Sequence, residues 1–356
     1  IPMMKRIGFK PHHAGGIEAI ASTGGQIMPP IMGAGVFILA TLTQTDYLSI
    51  AAMNVIPAVL FFGFVLLMVD LEAVRTGIKG LPMEEIPRVR DVLRRGWHFF
   101  VPLIVVITLL FKGYSPDLGA FWGTISTLVL SWLRKETAMK PRDIFRGLVA
   151  GAHNNTSAGA AIGSLGVIIG GIILSGLGLK FSAVLVEFAG GNLLLTVSLV
   201  TFISVIIGMG SSTTGSYIIL AVVAAPALVQ LGVPEIPAHL VVFYAACLSN
   251  IMPPVCVSAF AGAAIAKADP MKTGFAALKY GTTLILVPYS FVYVPELLLQ
   301  GTWQAITGAT LSYAVGYAAL AVAIQGTDFF PVAVPLVRRI IFLVAAVCFL
   351  FPMILW

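Results

Sequence analysis

The chain has 356 residues, of which 58% are hydrophobic and only 10% charged, with a mean hydropathy of +0.99. A soluble domain carries about 25% charged residues, so this composition is too poor in charge for a water-covered surface and excludes a soluble globular class. The net charge of +6 suits nucleic acid by its sign, but the basic residues gather between apolar runs, which is the pattern of membrane orientation and argues against a nucleic-acid partner.

In chain order, apolar runs fall near 13–42, 47–69, 97–111, 118–133, 145–175, 236–266, 274–298, 303–325 and 337–356. Most reach the roughly 20 residues needed to cross a hydrocarbon core of about 30 Å. They are continuous rather than alternating, so the chain is predicted to be an all-α polytopic membrane protein and not a barrel. Its 36 Gly and 21 Pro fit that class, because neighbouring membrane helices can re-satisfy a broken backbone. Between 179 and 234 a short arm leads to two apolar halves that meet at Gly208-Met209-Gly210-Ser211-Ser212-Thr213-Thr214. The three cysteines, Cys247, Cys256 and Cys348, make no CxxC or metal spacing and read as small apolar residues.

The basic residues test this map. They cluster at Lys5 to Lys10, Arg75 to Arg95, Arg134 to Arg146, Lys267 to Lys279, and Arg338 with Arg339; only Lys112 and Lys180 stand apart. All five clusters share one side if 179–234 enters and leaves by the opposite face as a re-entrant hairpin. By the positive-inside rule the clusters are cytoplasmic and the hairpin opens outward.

Residues 1–40 align without a gap on 225–264. The identities include Pro2/Pro226, Gly8/Gly232, Ala21/Ala245 and the run Ile27-Met28-Pro29-Pro30 on Ile251-Met252-Pro253-Pro254, and Gln26 meets Asn250. The charge map runs the two copies in opposite directions, the signature of secondary transporters built from inverted repeats. Five regions follow. Residues 1–46 hold the end of an inward hairpin and the first broken helix, and 47–178 hold connecting and scaffold helices. The arm and outward hairpin take 179–234, and the second broken helix with its following span takes 235–300. Residues 301–356 are C-terminal transmembrane helices. The hairpin tip has no partner one repeat earlier, so the first repeat is expected to begin before Ile1.

Each Ile-Met-Pro-Pro sits inside an apolar span. Proline removes a donor and clashes with the preceding turn, so two in a row should break the helix. The freed backbone groups, at several kcal/mol each if left unpaired in lipid, need partners. Ser22, Thr23, Gly24, Gly25 and Gln26 flank Pro29 and Pro30, while Ser249 and Asn250 flank Pro253 and Pro254. Such half-helix ends can hold a cation through carbonyls or an anion through N–H groups. At the hairpin tip, Gly208 and Gly210 permit a tight turn, and the hydroxyls of Ser211, Ser212, Thr213 and Thr214 can ligand an ion or hydrogen-bond a carboxylate. These residues are the candidate ion- and substrate-binding set. Glu18, the only carboxylate in either broken span, is a candidate proton carrier or cation ligand, with an interfacial charge near Lys10 or His12 as the alternative. Asn154 and Asn155, in a polar run with Thr156 and Ser157, are candidates for lining the cavity or for interhelical hydrogen bonds. No catalytic set, metal site or cofactor motif is present: there is no HExxH, GxSxG or pair of intramembrane aspartates. The reading is therefore a transporter and not an enzyme, and broken inverted helices favour alternating access over a passive channel.

The stretch from Gly15-Gly16-Ile17-Glu18 through Gly24-Gly25-Gln26-Ile27-Met28-Pro29-Pro30 resembles the large permease subunit of TRAP (tripartite ATP-independent periplasmic) transporters, most closely the fused type that works with TAXI binding proteins. Gly208-Met209-Gly210 with Thr213 to Leu220, and Ala268-Asp269-Pro270-Met271-Lys272-Thr273-Gly274-Phe275, are similar to that family too. The resemblance spans roughly residues 1–300. It departs where Ser211-Ser212 stand in place of the family's usual Leu-Pro. It implies an elevator-type permease of the bacterial inner membrane, driven as a symporter by sodium or protons and needing no other cofactor. It also implies a periplasmic binding protein that delivers small organic anions such as carboxylates, and a small membrane subunit, fused or separate. A single-chain cation-coupled anion symporter that needs no binding protein is the alternative.

Overall fold

The computed structural model describes the backbone of residues 1–328 and 334–351, and their side chains except at Met83, Arg95, Asn154, Ser157, Ala158, Ala161, Ile162 and Leu165. It is 77% helix and has no strand among the described residues, as the continuous apolar runs require. The chain divides into two units, Ile1–Gly80 with Ile169–Trp356, and Leu81–Ile168.

The larger unit opens with α1 (Pro2–Arg6), α2 (Pro11–Gly24), α3 (Ala34–Leu42) and α4 (Tyr47–Thr76). Asp46 caps α4 by accepting from the Ser49 amide at 3.2 Å, and Gly77 closes it in the left-handed region at φ +69°. At 1.5 Å per residue its 30 residues run about 45 Å. The smaller unit carries α5 (Val89–Gly96), α6 (Phe100–Phe111), α7 (Pro116–Ser131) and the first part of α8 (Pro141–Ser175). There Gly123 lets α7 lie on Val106 of α6, since a Cβ at that position would collide with the valine.

Back in the larger unit, α8 bends by 69° at Gly176 into α9 (Leu177–Phe188), the predicted short arm. The hairpin follows as α10 (Leu193–Gly208) and α11 (Thr213–Val223), then α12 (Ala225–Gln230), α13 (Glu235–Ser249), α14 (Val257–Ala266), α15 (Pro270–Tyr280), α16 (Thr283–Tyr293), α17 (Trp303–Gln325) and α18 (Leu336–Leu350). Four described helical stretches are long and apolar enough to cross a membrane, Tyr47–Thr76, Thr213–Gln230, Pro270–Tyr293 and Trp303–Gln325, with the bent pair around Gly176 a fifth. The predicted runs at 13–42 and 236–266 are each two helices, α2 with α3 and α13 with α14, because the tandem prolines stop them midway. The predicted run at 337–356 is helical through Leu350, and its last residues, 352–356, lie outside the described ones.

The two copies of the repeat pair with each other in antiparallel fashion. Lys5 Nζ donates to the Ala266 carbonyl at 2.7 Å. Gly15 lies against the Gly262 backbone, Gln26 against Cys247, and Gly35 against Phe243. As the first number rises the second falls, so the entering half of each broken helix packs on the leaving half of the other. Gly15 and Gly262 are required here. A Cβ on Gly262 would strike the Gly15 carbonyl oxygen, so only glycine lets the α2 and α14 backbones touch.

Candidate functional site

The two helix breaks are built alike. α2 stops at Gly24, and the Gly33 amide reaches back to the Gln26 carbonyl at 2.8 Å. α13 stops at Ser249, and the Ser258 amide reaches back to the Asn250 carbonyl at 3.1 Å. Both loops carry a cis peptide between their tandem prolines, Pro29-Pro30 and Pro253-Pro254. The first break uses Tyr47 to meet its backbone needs. The Tyr47 hydroxyl donates to the Pro30 carbonyl at 2.8 Å and accepts from the Met32 amide at 3.2 Å. One phenol thus satisfies two of the groups that the prolines set free.

The hairpin tip meets the second break directly. Asn250 Nδ2 donates to Thr213 Oγ1 at 2.8 Å and to the Ala246 carbonyl at 3.1 Å. Gly208 lies flat against Ser249, where any Cβ would collide with the serine hydroxyl. The Ser249 hydroxyl itself donates to the Ala246 carbonyl at 2.7 Å. Gly210 turns the chain at φ +84°, in the left-handed region that glycine enters without steric cost. Ser212 caps α11 by accepting from the Gly215 amide at 3.2 Å, and the Ser211 and Ser216 hydroxyls bond each other. Thr214 is half-buried in the first turn of α11, and its side chain makes no hydrogen bond among the described residues. The tip therefore presents hydroxyls beside the first amides of a helix, within reach of a carboxamide on the second break.

The first break is reached less directly. Gln26, the repeat partner of Asn250, accepts from the Cys247 thiol at 4.0 Å, which ties it to α13. Thr23 is buried and donates to the Ala19 carbonyl at 2.8 Å, and Gly24 is a contact point for Phe61 of α4. Both therefore do structural work in α2. Ser22 and Gly25 are exposed, and Glu18 on α2 is about half-exposed at 50%. Asn155 is exposed on α8 in the smaller unit, and the Asn154 side chain lies outside the described residues.

A buried polar network escaped the sequence reading. Glu72, 1% exposed near the end of α4, takes Arg75 Nη2 at 2.7 Å, Lys279 Nζ at 3.5 Å and His13 Nε2 at 3.6 Å. Lys279 also donates to Gln325, whose amide donates to the Met68 carbonyl at 2.7 Å. The Tyr280 hydroxyl meets His13 Nδ1 at 2.8 Å. Four helices, α2, α4, α15 and α17, are joined this way. Only the Glu72/Arg75 spacing of three residues was a local signal, and it looks like an ordinary surface pair. Two further buried bonds, Tyr217 to His239 Nδ1 at 2.8 Å and Tyr244 to Asn54 at 3.0 Å, fasten α11 and α4 to α13.

Two broken helices and a hairpin tip that carry oxygen atoms and hydrogen-bond donors are the arrangement found at the substrate sites of many secondary transporters. Comparison with curated proteins returned no match. The family model described as "Tripartite ATP-independent periplasmic transporter, DctM component" matches residues 1–306, which include both breaks and the hairpin. On that match the chain belongs to the DctM family, the large permease component of TRAP transporters.

Proposed function

We propose that this chain is the permease subunit of a secondary transporter in the bacterial inner membrane, taking up small organic anions, carboxylates in particular, on an ion gradient. A periplasmic binding protein, of the TAXI type by the motifs it resembles, delivers the anion, and a small membrane subunit completes the assembly. The hydrogen bond from Asn250 to Thr213 carries this reading, because it places the hairpin tip and the second break at one point. In lipid each of these polar groups needs a partner, and an anion or cation bound between them supplies the rest. The binding set is Ser211, Ser212, Thr213, Thr214, Ser249, Asn250, Pro253 and Pro254 around Gly208 and Gly210. Ser22, Gly25, Gln26, Pro29 and Pro30 form its counterpart at the first break, where Thr23 and Gly24 hold the end of α2 in place.

Coupling is by sodium held on hydroxyl and carbonyl oxygens, or by protons carried on Glu18. Uptake into proteoliposomes separates these. Candidate carboxylates are offered with a sodium gradient alone, a proton gradient alone, or neither, with and without the cognate binding protein. Accumulation that needs a gradient and the binding protein supports the reading. Uptake of equal rate without the binding protein turns it into a single-chain symporter, and equilibration without any gradient overturns it. If protons drive uptake, Glu18→Gln abolishes it while leaving membrane abundance unchanged.

A further inference from the structure

Three helix ends meet around a cavity of about 480 Å³. α4 brings Arg75, α17 brings Gln325 and the following Gly326 and Thr327, and the start of α18 brings Arg339, with Val334 on the connecting backbone. The two arginines come from the second and fifth basic clusters of the sequence, far apart in the chain. The Arg339 guanidinium is held in place by the carbonyls that end α17: Nε donates to Ala323 at 2.9 Å and Nη2 to Ile324 at 3.4 Å, and Nη1 makes no hydrogen bond among the described residues. Gly326, at φ +69°, keeps that arrangement open, since a Cβ there would come within 3.2 Å of the guanidinium. Arg75 is 43% exposed, with Nη2 on Glu72 and no hydrogen bond from its other donors among the described residues. The Glu72 carboxylate is only 2% exposed and is shared between Arg75 and Lys279, two cations on one anion, so a positive balance remains there. Asp328, next to Thr327, makes its own contacts.

Apart from Arg338, the exposed residues of α18 that follow Arg339 and precede it are apolar. Leu336, Val337, Ile340, Ile341 and Val344 of α18 are all more than half exposed. The opposite face of α18 packs on α17, with Leu350 against Gly316. A helix that starts at a cationic pocket and continues as a bare aliphatic face fits a ligand with an anionic head and hydrocarbon tails. The basic clusters assign this end of the helices to the cytoplasmic side, where anionic lipids attract lysine and arginine. A volume of about 480 Å³ lies within the usual range for small-ligand pockets, about 300 to 1,000 Å³, and admits a glycerol phosphate head.

We propose that this cavity is a binding site for the phosphate headgroup of an anionic phospholipid, with Arg75 and Arg339 holding the phosphate and the outer face of α18 carrying the acyl chains. The site does not depend on the transport reading. Gln325, Val334 and Arg339 lie beyond the 306 residues that match the family model, and Arg75 of α4 lies within them, so the site joins the matched region to the C-terminal helices.

Native mass spectrometry of the purified chain in an equal mixture of phosphatidylglycerol and phosphatidylcholine tests this, alongside thermal melts with each lipid and with inorganic phosphate. Phosphatidylglycerol should be retained in preference and should raise the melting temperature, while phosphatidylcholine and inorganic phosphate should not. Arg339→Gln should weaken the phosphatidylglycerol response about ten-fold, the loss of a charge-assisted bond, and Arg339→Lys should recover part of it. Arg75→Gln also removes a partner of Glu72, so Val334→Trp, which fills the cavity without touching a charge, serves as the second variant and should abolish selective retention. Equal retention of the two lipids, or an unchanged phosphatidylglycerol response in both Arg339→Gln and Val334→Trp, would overturn the site. A response to inorganic phosphate as strong as that to phosphatidylglycerol would overturn the lipid assignment.

Discussion

Asn250 and Thr213 do different jobs in the same bond. The carboxamide donates, and the threonine hydroxyl accepts, so this bond does not use the hydroxyl's own proton. Thr213→Val keeps the shape and removes that hydroxyl; Asn250→Ala removes the donor. Each is expected to raise the half-saturating concentration of ion or substrate by about five- to thirty-fold, equivalent to about 1–2 kcal/mol. The double variant should cost less than the sum of the two, because they share one contact. Transport kinetics on equal amounts of membrane-inserted protein check this, and two independent, additive losses would separate the tip from the break. At this scale the sequence was legible in part. The matched prolines marked the two helix breaks, and the glycine- and hydroxyl-rich run marked the turn between α10 and α11. They did not assign Thr213 as the partner of Asn250, and they missed Tyr47, because a lone tyrosine at a helix start gives no sign that it reaches back to Pro30 and Met32.

Between elements, the contacts that matter are made by the smallest and the most polar residues. α2 and α14 touch backbone to backbone at Gly15 and Gly262. Gly262→Val is therefore expected to force them apart and cost about 1–3 kcal/mol, the usual range for overpacking. A lower melting temperature in detergent would report it, whereas Gly308→Ala, with open space at its Cβ, should leave the melt unchanged. Glu72 makes the opposite case. Its carboxylate is buried and faces Arg75, Lys279 and His13. Removing it leaves cations without a counter-charge, and breaking a buried pair in this way costs about 3–5 kcal/mol. Glu72→Ala should reduce membrane abundance sharply, and Glu72→Met with Lys279→Met should recover much of it by removing both charges. A double variant no better than the single one would show that the network acts through something other than charge balance. α2, α4, α15 and α17 are brought to Glu72 only by folding, so no spacing in the chain could announce it.

For the whole molecule, charge placement predicts the orientation, and the two copies of the repeat run in opposite directions within it. A cysteine at Lys180 and one at Gly232 should both be labelled by an impermeant reagent from outside intact cells, and one at Arg142 only after the membrane is opened. Labelling of Lys180Cys or Gly232Cys solely from the cytoplasm would reverse the map. Composition determined the class by itself, because 10% charge cannot solvate a surface and long apolar runs have no other solvent than lipid. The repeat determined where the helices break, because tandem proline acts locally on the backbone wherever it occurs. Tertiary structure alone decided which half-helix lies on which, that Thr213 is the tip residue bonded to Asn250, and that Arg75 and Arg339 share a cavity. Those are long-range pairings, made where glycines allow backbones to touch and where buried charges must find one another once water is gone.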